Sequence, residues 1–164
     1  AEGHISLNEM KGSWAGAMGN SQFMPSSFLQ FALDANNDGR KNIWSDKEDI
    51  FASMGNYLAK YGWDKSKTWG RQVILSKPFK QYAFGKKNAQ LLADWQKQGV
   101  RRMNGQALPQ VDLKAYLIAP GGPKGRIYLV YPNFDIIMRW NRSYYFATGV
   151  GYLADRIAYP PIKK

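Results

Sequence analysis

Three short stretches hold the residues whose types and spacing could do chemistry. The first is Gly12-Ser-Trp-Ala-Gly-Ala-Met-Gly-Asn-Ser-Gln-Phe-Met-Pro-Ser-Ser27. Its glycines permit tight turns and close approach of a second backbone. Gln22 is a lone amide among apolar neighbours, suited to holding a polar ligand in a walled groove. A Gly-rich turn packing two helices is the structural alternative. The second stretch, Asp34-Ala-Asn36-Asn-Asp38-Gly39, sets oxygen donors at positions one, three and five with glycine at six. That is the opening of an EF-hand calcium loop. Its twelfth position is Ser45 rather than glutamate, so closure requires a longer loop ending at Glu48, with Arg40 offering its backbone carbonyl. Arg40 and Lys41 add positive charge there, and an Asn-Asp-Gly turn ending a helix is the alternative. The third stretch runs Arg139-Trp140-Asn141-Arg142-Ser143-Tyr144-Tyr145-Phe146. On a helix Asn141 and Tyr145 share a face, so an amide and a phenol would converge on one ligand.

These stretches need elements to hold them. Pro25, Ser26 and Ser27 predict a turn into an N-cap and a helix over 28–33. Ile50, Met54, Tyr57, Leu58 and Tyr61 form an apolar stripe at helical spacing that Gly62 ends. Beyond residue 64 the character changes. Val73-Ile-Leu75, 111–118 and 126–131 read as strands, the last two joined by Ala119-Pro-Gly-Gly-Pro123, and 88–98 reads as a helix capped by Asn88. A long helical pattern returns over 133–158.

Composition bounds the chemistry. The 164 residues suffice for one domain with a sizeable core, or a domain with a small insert. With one histidine, His4, a Ser-His-Asp triad or a multi-histidine metal site is excluded. Cysteine is absent, which removes disulfides and thiolate metal sites. No P-loop or dinucleotide fingerprint occurs, and no apolar run is long enough to span a membrane. Lys and Arg outnumber Asp and Glu by 23 to 12, a balance that attracts polyanions. Nucleic acid is the generic partner, yet no recognition-helix or RNA-binding signature accompanies it. Aromatic residues, 15% of the chain, suit the apolar faces of sugar rings as well as ordinary packing.

The Gly12–Ser27 wording closely resembles a motif of lytic murein transglycosylases, in particular the membrane-bound lytic transglycosylase B family. Asp34-Ala-Asn-Asn-Asp-Gly39, Asn42-Ile-Trp44, Asn56-Tyr-Leu58 with Gly62-Trp63, Tyr131-Pro-Asn-Phe134, Arg139-Trp-Asn-Arg-Ser143 and Ala154-Asp-Arg-Ile157 resemble that family in the same order. The resemblance covers nearly the whole chain and is weakest over 64–85.

The resemblance implies an α+β fold: a lysozyme-like, mainly helical core with a small β-containing insert. Residues 1–63 would be the first part of the core with the EF-hand-like loop, 64–132 the β-containing subdomain, and 133–164 a C-terminal helix completing the core. It implies cleavage of the MurNAc–GlcNAc β-1,4 bond with formation of 1,6-anhydro-MurNAc, using a single glutamate. That glutamate is expected upstream of Ala1; Glu2 and Glu9 lie in the wrong place, and this chain alone is expected to be inactive. Ser13, Gln22 and Asn141 are expected to contact sugar or position the acid. Trp14, Phe23 and Met24 are groove walls or packing residues, and Tyr145 joins the binding set. Where the family commonly has tyrosine this chain has Phe146, which removes one hydroxyl. Asp34, Asn36, Asp38, Arg40 and Glu48 are the candidate ligands of a structural Ca2+, with no cofactor for catalysis. The implied partners are peptidoglycan strands and an N-terminal part of the same protein, not nucleic acid. The implied location is periplasmic or outer-membrane-associated. A non-catalytic peptidoglycan-binding module is the alternative reading, and a basic nucleic-acid binder the third.

Overall fold

The computed structural model describes residues 3–159. The chain divides into two compact units, Ala1–Trp63 and Asp64–Lys164. Helix and strand are mixed along the chain, and the strands lie in the second unit.

The first unit begins with an irregular segment whose backbone bridges, Gly12 to Met18 and Met18 to Phe23, fold it back on itself. Helix α1 (Pro25–Phe31) follows, with Pro25 in the first turn and Met24 as N-cap. Proline suits that position because its missing N–H would lack a helical partner anyway. The serines predicted to cap this helix therefore lie inside it. Helix α2 (Lys47–Lys60) is capped by Asp46, whose side chain accepts from the backbone N–H groups of Glu48 and Asp49. The predicted stripe faces inward: Ile50 and Tyr57 are buried, and Met54, Leu58 and Tyr61 are half-buried. Phe31 meets Tyr57 edge-on at 4.9 Å between ring centres. Phe23, Ile43 and Ala32 complete this small core.

The second unit is built on a five-stranded antiparallel sheet, ordered β2-β4-β5-β1-β3. Its strands are β1 (Gly70–Leu75), β2 (Gln90–Leu91), β3 (Val100–Arg102), β4 (Lys114–Ile118) and β5 (Ile127–Val130). Both faces are covered, so β4 is buried almost continuously rather than alternating. On one face Val73, Leu117, Leu129 and Tyr131 pack with Trp95 of helix α3 (Leu92–Lys97). The Trp95 indole donates to the Ala115 carbonyl at 2.8 Å, satisfying its only polar atom. The other face carries Tyr116 and Tyr128, which meet Phe134 of helix α4 (Pro132–Trp140) and Trp69. Helix α5 (Tyr144–Ala158) closes over Trp69, to which Gly151 presents bare backbone.

Two expectations are corrected here. The helix expected over 88–98 is confined to 92–97, because residues 90–91 pair with β4 and Asn88 turns its amide to the Phe84 carbonyl. The helix expected over 133–158 is two helices, broken at Asn141 and restarted by Ser143, whose hydroxyl accepts from the Phe146 N–H. Asn133 anchors the start of α4: buried, it accepts from the Asp64 N–H and donates to the Asp64 and Lys67 carbonyls. Beside it, the Lys67 and Ser66 hydrogen bonds hold the exposed Asp64 carboxyl down to a pKa of about 2. Burial and the bond to Asp135 push the Tyr116 phenol far above its usual range.

Candidate functional site

The Gly-rich segment of the first unit is wound tightly enough to fix its side chains. A Cβ at Gly19 would fall 2.6 Å from the Ile43 carbonyl oxygen, and its φ of 61° lies in the left-handed region. Asn20 follows, receiving Ile43 as acceptor for its N–H and Trp44 as acceptor for its amide. Gln22 is also left-handed, at φ 50°, a conformation costing on the order of 1 kcal/mol for a residue other than glycine. Its side-chain amide donates to the Gly19 carbonyl at 2.8 Å, which leaves the side-chain oxygen outside that bond.

These constraints frame a cavity of about 570 Å³ bordered by Glu9, Ser13, Asn20, Gln22, Trp44 and Ser45 among others. The structure thus brings Ser13 and Gln22 together on one surface. It adds Trp44, whose indole N–H is occupied by the Lys11 carbonyl at 2.8 Å so that its ring is fixed. Amides, hydroxyls and an indole around an open cavity suit a polyhydroxylated ligand better than a metal or a hydride donor. Glu9, the carboxylate at its edge, is exposed and accepts from the Ser6 hydroxyl at 2.6 Å. It stands open to solvent, without the apolar walls that enclose a general acid.

The three apolar wall candidates do not border this cavity. Trp14 is fully exposed, Met24 is exposed, and Phe23, 3% exposed, takes the packing alternative against Phe31 and Tyr57. In the second unit Asn141 and Tyr145 do not share a helix face, because Asn141 is the C-cap of α4 and Tyr145 stands in the first turn of α5. Both are exposed.

The Asp34 loop is wound as its spacing predicts. Asp34 accepts from the N–H groups of Asp38 and Gly39, Asn36 from that of Asp38, and Asp38 from that of Arg40. Gly39 takes the positive φ, 85°, that position six requires. The loop is closed by residues the sequence reading passed over. Asp49, fully buried, accepts from the N–H groups of Ala35 and Asn42, each at 2.7 Å, and Asp46 accepts from the Asn36 amide at 2.8 Å. Glu48 is exposed on the first turn of α2. Among the described residues no three His, Cys, Asp or Glu side chains converge as a metal-holding group. Asp34, Asn36 and Asp38 carry oxygen donors of the kind calcium takes, and Glu48 does not join them in a converging carboxylate group.

Residues 1–155 match the family described as Transglycosylase SLT domain. The chain belongs to this family. It is 34% identical over 155 residues to membrane-bound lytic murein transglycosylase B of Escherichia coli strain K12, covering 91% of this chain and 40% of that protein. SltB3 from Pseudomonas aeruginosa, solved in complex with NAG-anhNAM-pentapeptide, matches with a TM-score of 0.90 and 38% identity over 96% of this chain and 43% of that one. Escherichia coli Slt35 in complex with calcium matches with a TM-score of 0.76 and 33% identity, over 96% of this chain and 48% of that one. The SLT-domain chain therefore spans less than half the length of these relatives. Among its described residues no helix is long and apolar enough to cross a membrane.

Proposed function

We propose that this chain is the part of a lytic transglycosylase that binds and orients peptidoglycan for cleavage of the MurNAc–GlcNAc β-1,4 bond. The observation that carries the reading is the fixed cavity at Ser13, Gln22 and Trp44 in a chain of the transglycosylase family. Ser13 and Gln22 hold sugar hydroxyls or N-acetyl groups there, and Asn141, exposed on the second unit, is a separate candidate for sugar contact. Met24, Trp14 and Tyr145 remain exposed candidates for further sugar contact. The division into a lysozyme-like, mainly helical core and a β-containing insert over 64–132 belongs to the same reading. It is supported by the strands falling within 70–130.

The chemistry needs one carboxylic acid. It protonates the glycosidic oxygen, then accepts the proton of the sugar's own 6-hydroxyl as that oxygen closes the 1,6-anhydro ring. Neither Glu9 nor Glu48, both exposed, offers the required enclosure, so the reading takes the acid from a segment outside residues 1–164. A periplasmic or outer-membrane-associated setting goes with a murein substrate. Calcium, held by Asp34, Asn36, Asp38, the Arg40 carbonyl and Glu48, would tie the loop between α1 and α2 and take no part in the reaction.

Purified peptidoglycan is incubated with this chain and with a longer form carrying the upstream glutamate, and the soluble products are analysed by mass spectrometry. Anhydro-muropeptides from the longer form alone are expected. Retention of glycan without products from either form would favour a non-catalytic binding module, the reading supported by the exposure of Glu9 and Glu48.

A further inference from the structure

The sheet of the second unit carries a cavity that the sugar-cleaving chemistry leaves unused. It measures about 880 Å³ and is bordered by Arg71, Arg102, Tyr131, Leu92, Leu108 and Val111 among others. Strand register explains its polar side. Arg71 lies opposite Leu129 and Val73 opposite Arg102, while Tyr131 follows Leu129 by two residues, so Arg71, Arg102 and Tyr131 share one face. The two guanidinium groups act electrostatically on the Tyr131 phenol, against the burial that pushes it upward. Three polar heads therefore converge on one region.

Their partners are unequal. Lys67, also on the border, is held by Asp64, and Arg71 lies 3.5 Å from Asp155. Among the described residues the Arg102 guanidinium has no ion pair or hydrogen bond, and neither has the hydroxyl of Tyr131, a residue 5% exposed. Asp112 is the acidic side chain on the border, against Lys67, Arg71 and Arg102. Leu92 and Leu108 are buried beneath, and Met103 and Val111 stand exposed at its edge. A cationic fork with a phenol donor selects a carboxylate, and aliphatic walls select small apolar side chains next to it.

We propose that this cavity binds the short, carboxylate-bearing peptide stem of peptidoglycan, with Arg102 and Tyr131 holding a carboxylate and the leucine-lined wall receiving methyl groups. The choice of a peptide over a phosphate rests on the peptidoglycan reading. The apolar lining supports it independently, since a nucleic-acid backbone would leave Leu108 and Val111 without apolar partners.

The test is calorimetric titration of the chain with a free stem pentapeptide, with the same peptide amidated at its carboxylates, and with a single-stranded oligonucleotide. Binding of the free peptide is expected to weaken about tenfold on amidation and about tenfold in Arg102→Gln, and less in Tyr131→Phe. Arg102 carries no structural bond through its side chain, so its variant should keep the wild-type circular dichroism. Absence of peptide binding, insensitivity to both amidation and Arg102→Gln, or preference for the oligonucleotide overturns the proposal. Cleavage of peptide-free glycan by the longer form, without peptide binding here, removes this inference and leaves the transglycosylase reading standing. Peptide binding without any cleavage does the reverse.

Discussion

Asp49 shows how much one buried carboxylate can organise. Its two oxygens accept from Ala35 and Asn42, the two sides of the Asp34 loop, and the side chain is wholly enclosed. Hydrogen bonds to a charged acceptor contribute about 1.5–3 kcal/mol each, and removing the acceptor strands two backbone donors. Asp49→Ala should destabilise the chain by about 3 kcal/mol or more, read as a lowered denaturant midpoint at unchanged slope. Ser21 is the opposite case. It is buried, and its hydroxyl has no hydrogen-bond partner among the described residues. Ser21→Ala removes an unsatisfied polar atom, so the midpoint should stay or rise by the equivalent of up to about 1 kcal/mol. At this scale the sequence was legible where motif wording and spacing fix local geometry. Ser13 and Gln22 do meet on one cavity, and the donors of the Asp34 loop are wound as read. Trp44, Asn20 and Asp49 were not legible, because Trp44 and Asn20 depend on residues 43–44 folding back against the N-terminal segment and Asp49 on the Asp34 loop folding onto α2.

Elements were legible where periodicity was sustained and illegible where neighbours overrode it. Helix α2 has a repeating stripe and an acidic N-cap, and its C-cap is Tyr61, directly before the Gly62 that was expected to end it. Residues 90–91 carry helix-compatible side chains but are captured by the edge of β4, a tertiary choice that propensity does not encode. The break between α4 and α5 had a local signal in Ser143, hidden by apolar residues that keep helical spacing across it. The α5 helix also offers a controlled comparison of two glycines. A Cβ on Gly151 would lie 2.3 Å from the Trp69 ring, whereas one on Gly149 meets nothing within 4 Å. Gly149→Ala should therefore stabilise by roughly 0.5–1 kcal/mol through helix propensity. Gly151→Ala gains the same propensity but must displace a buried indole tied to Asp155, which costs about 1–3 kcal/mol or more. Opposite shifts in melting temperature are expected, and equal shifts would mean that α5 does not lie on Trp69 as described.

Over the whole molecule, charge is the property most visible in sequence and least resolved into function by it. Lys and Arg exceed Asp and Glu by 23 to 12, a net charge of +11. The structure distributes part of this excess into pairs such as Lys97 with Asp94 and Lys86 with Asp135, and these surface pairs contribute little stability. The remainder acts at a distance, raising the local concentration of a polyanion before any specific contact forms. On the proposed reading, the long-range attraction and the Arg102 cavity both address the carboxylates of murein peptide stems, while the Ser13–Gln22 cavity addresses sugar. The two contributions separate with salt. Raising ionic strength from 0.1 M to 1 M shortens the screening length from about 10 Å to about 3 Å, which suppresses exposed electrostatics and spares hydrogen bonds in a cavity. Retention of the chain on intact peptidoglycan, measured by co-sedimentation, should fall several-fold across that range. Retention on glycan stripped of its peptide stems should be weaker at low salt and nearly flat. A flat response on intact peptidoglycan would mean that binding resides in the sugar cavity alone and that the cationic excess serves another partner.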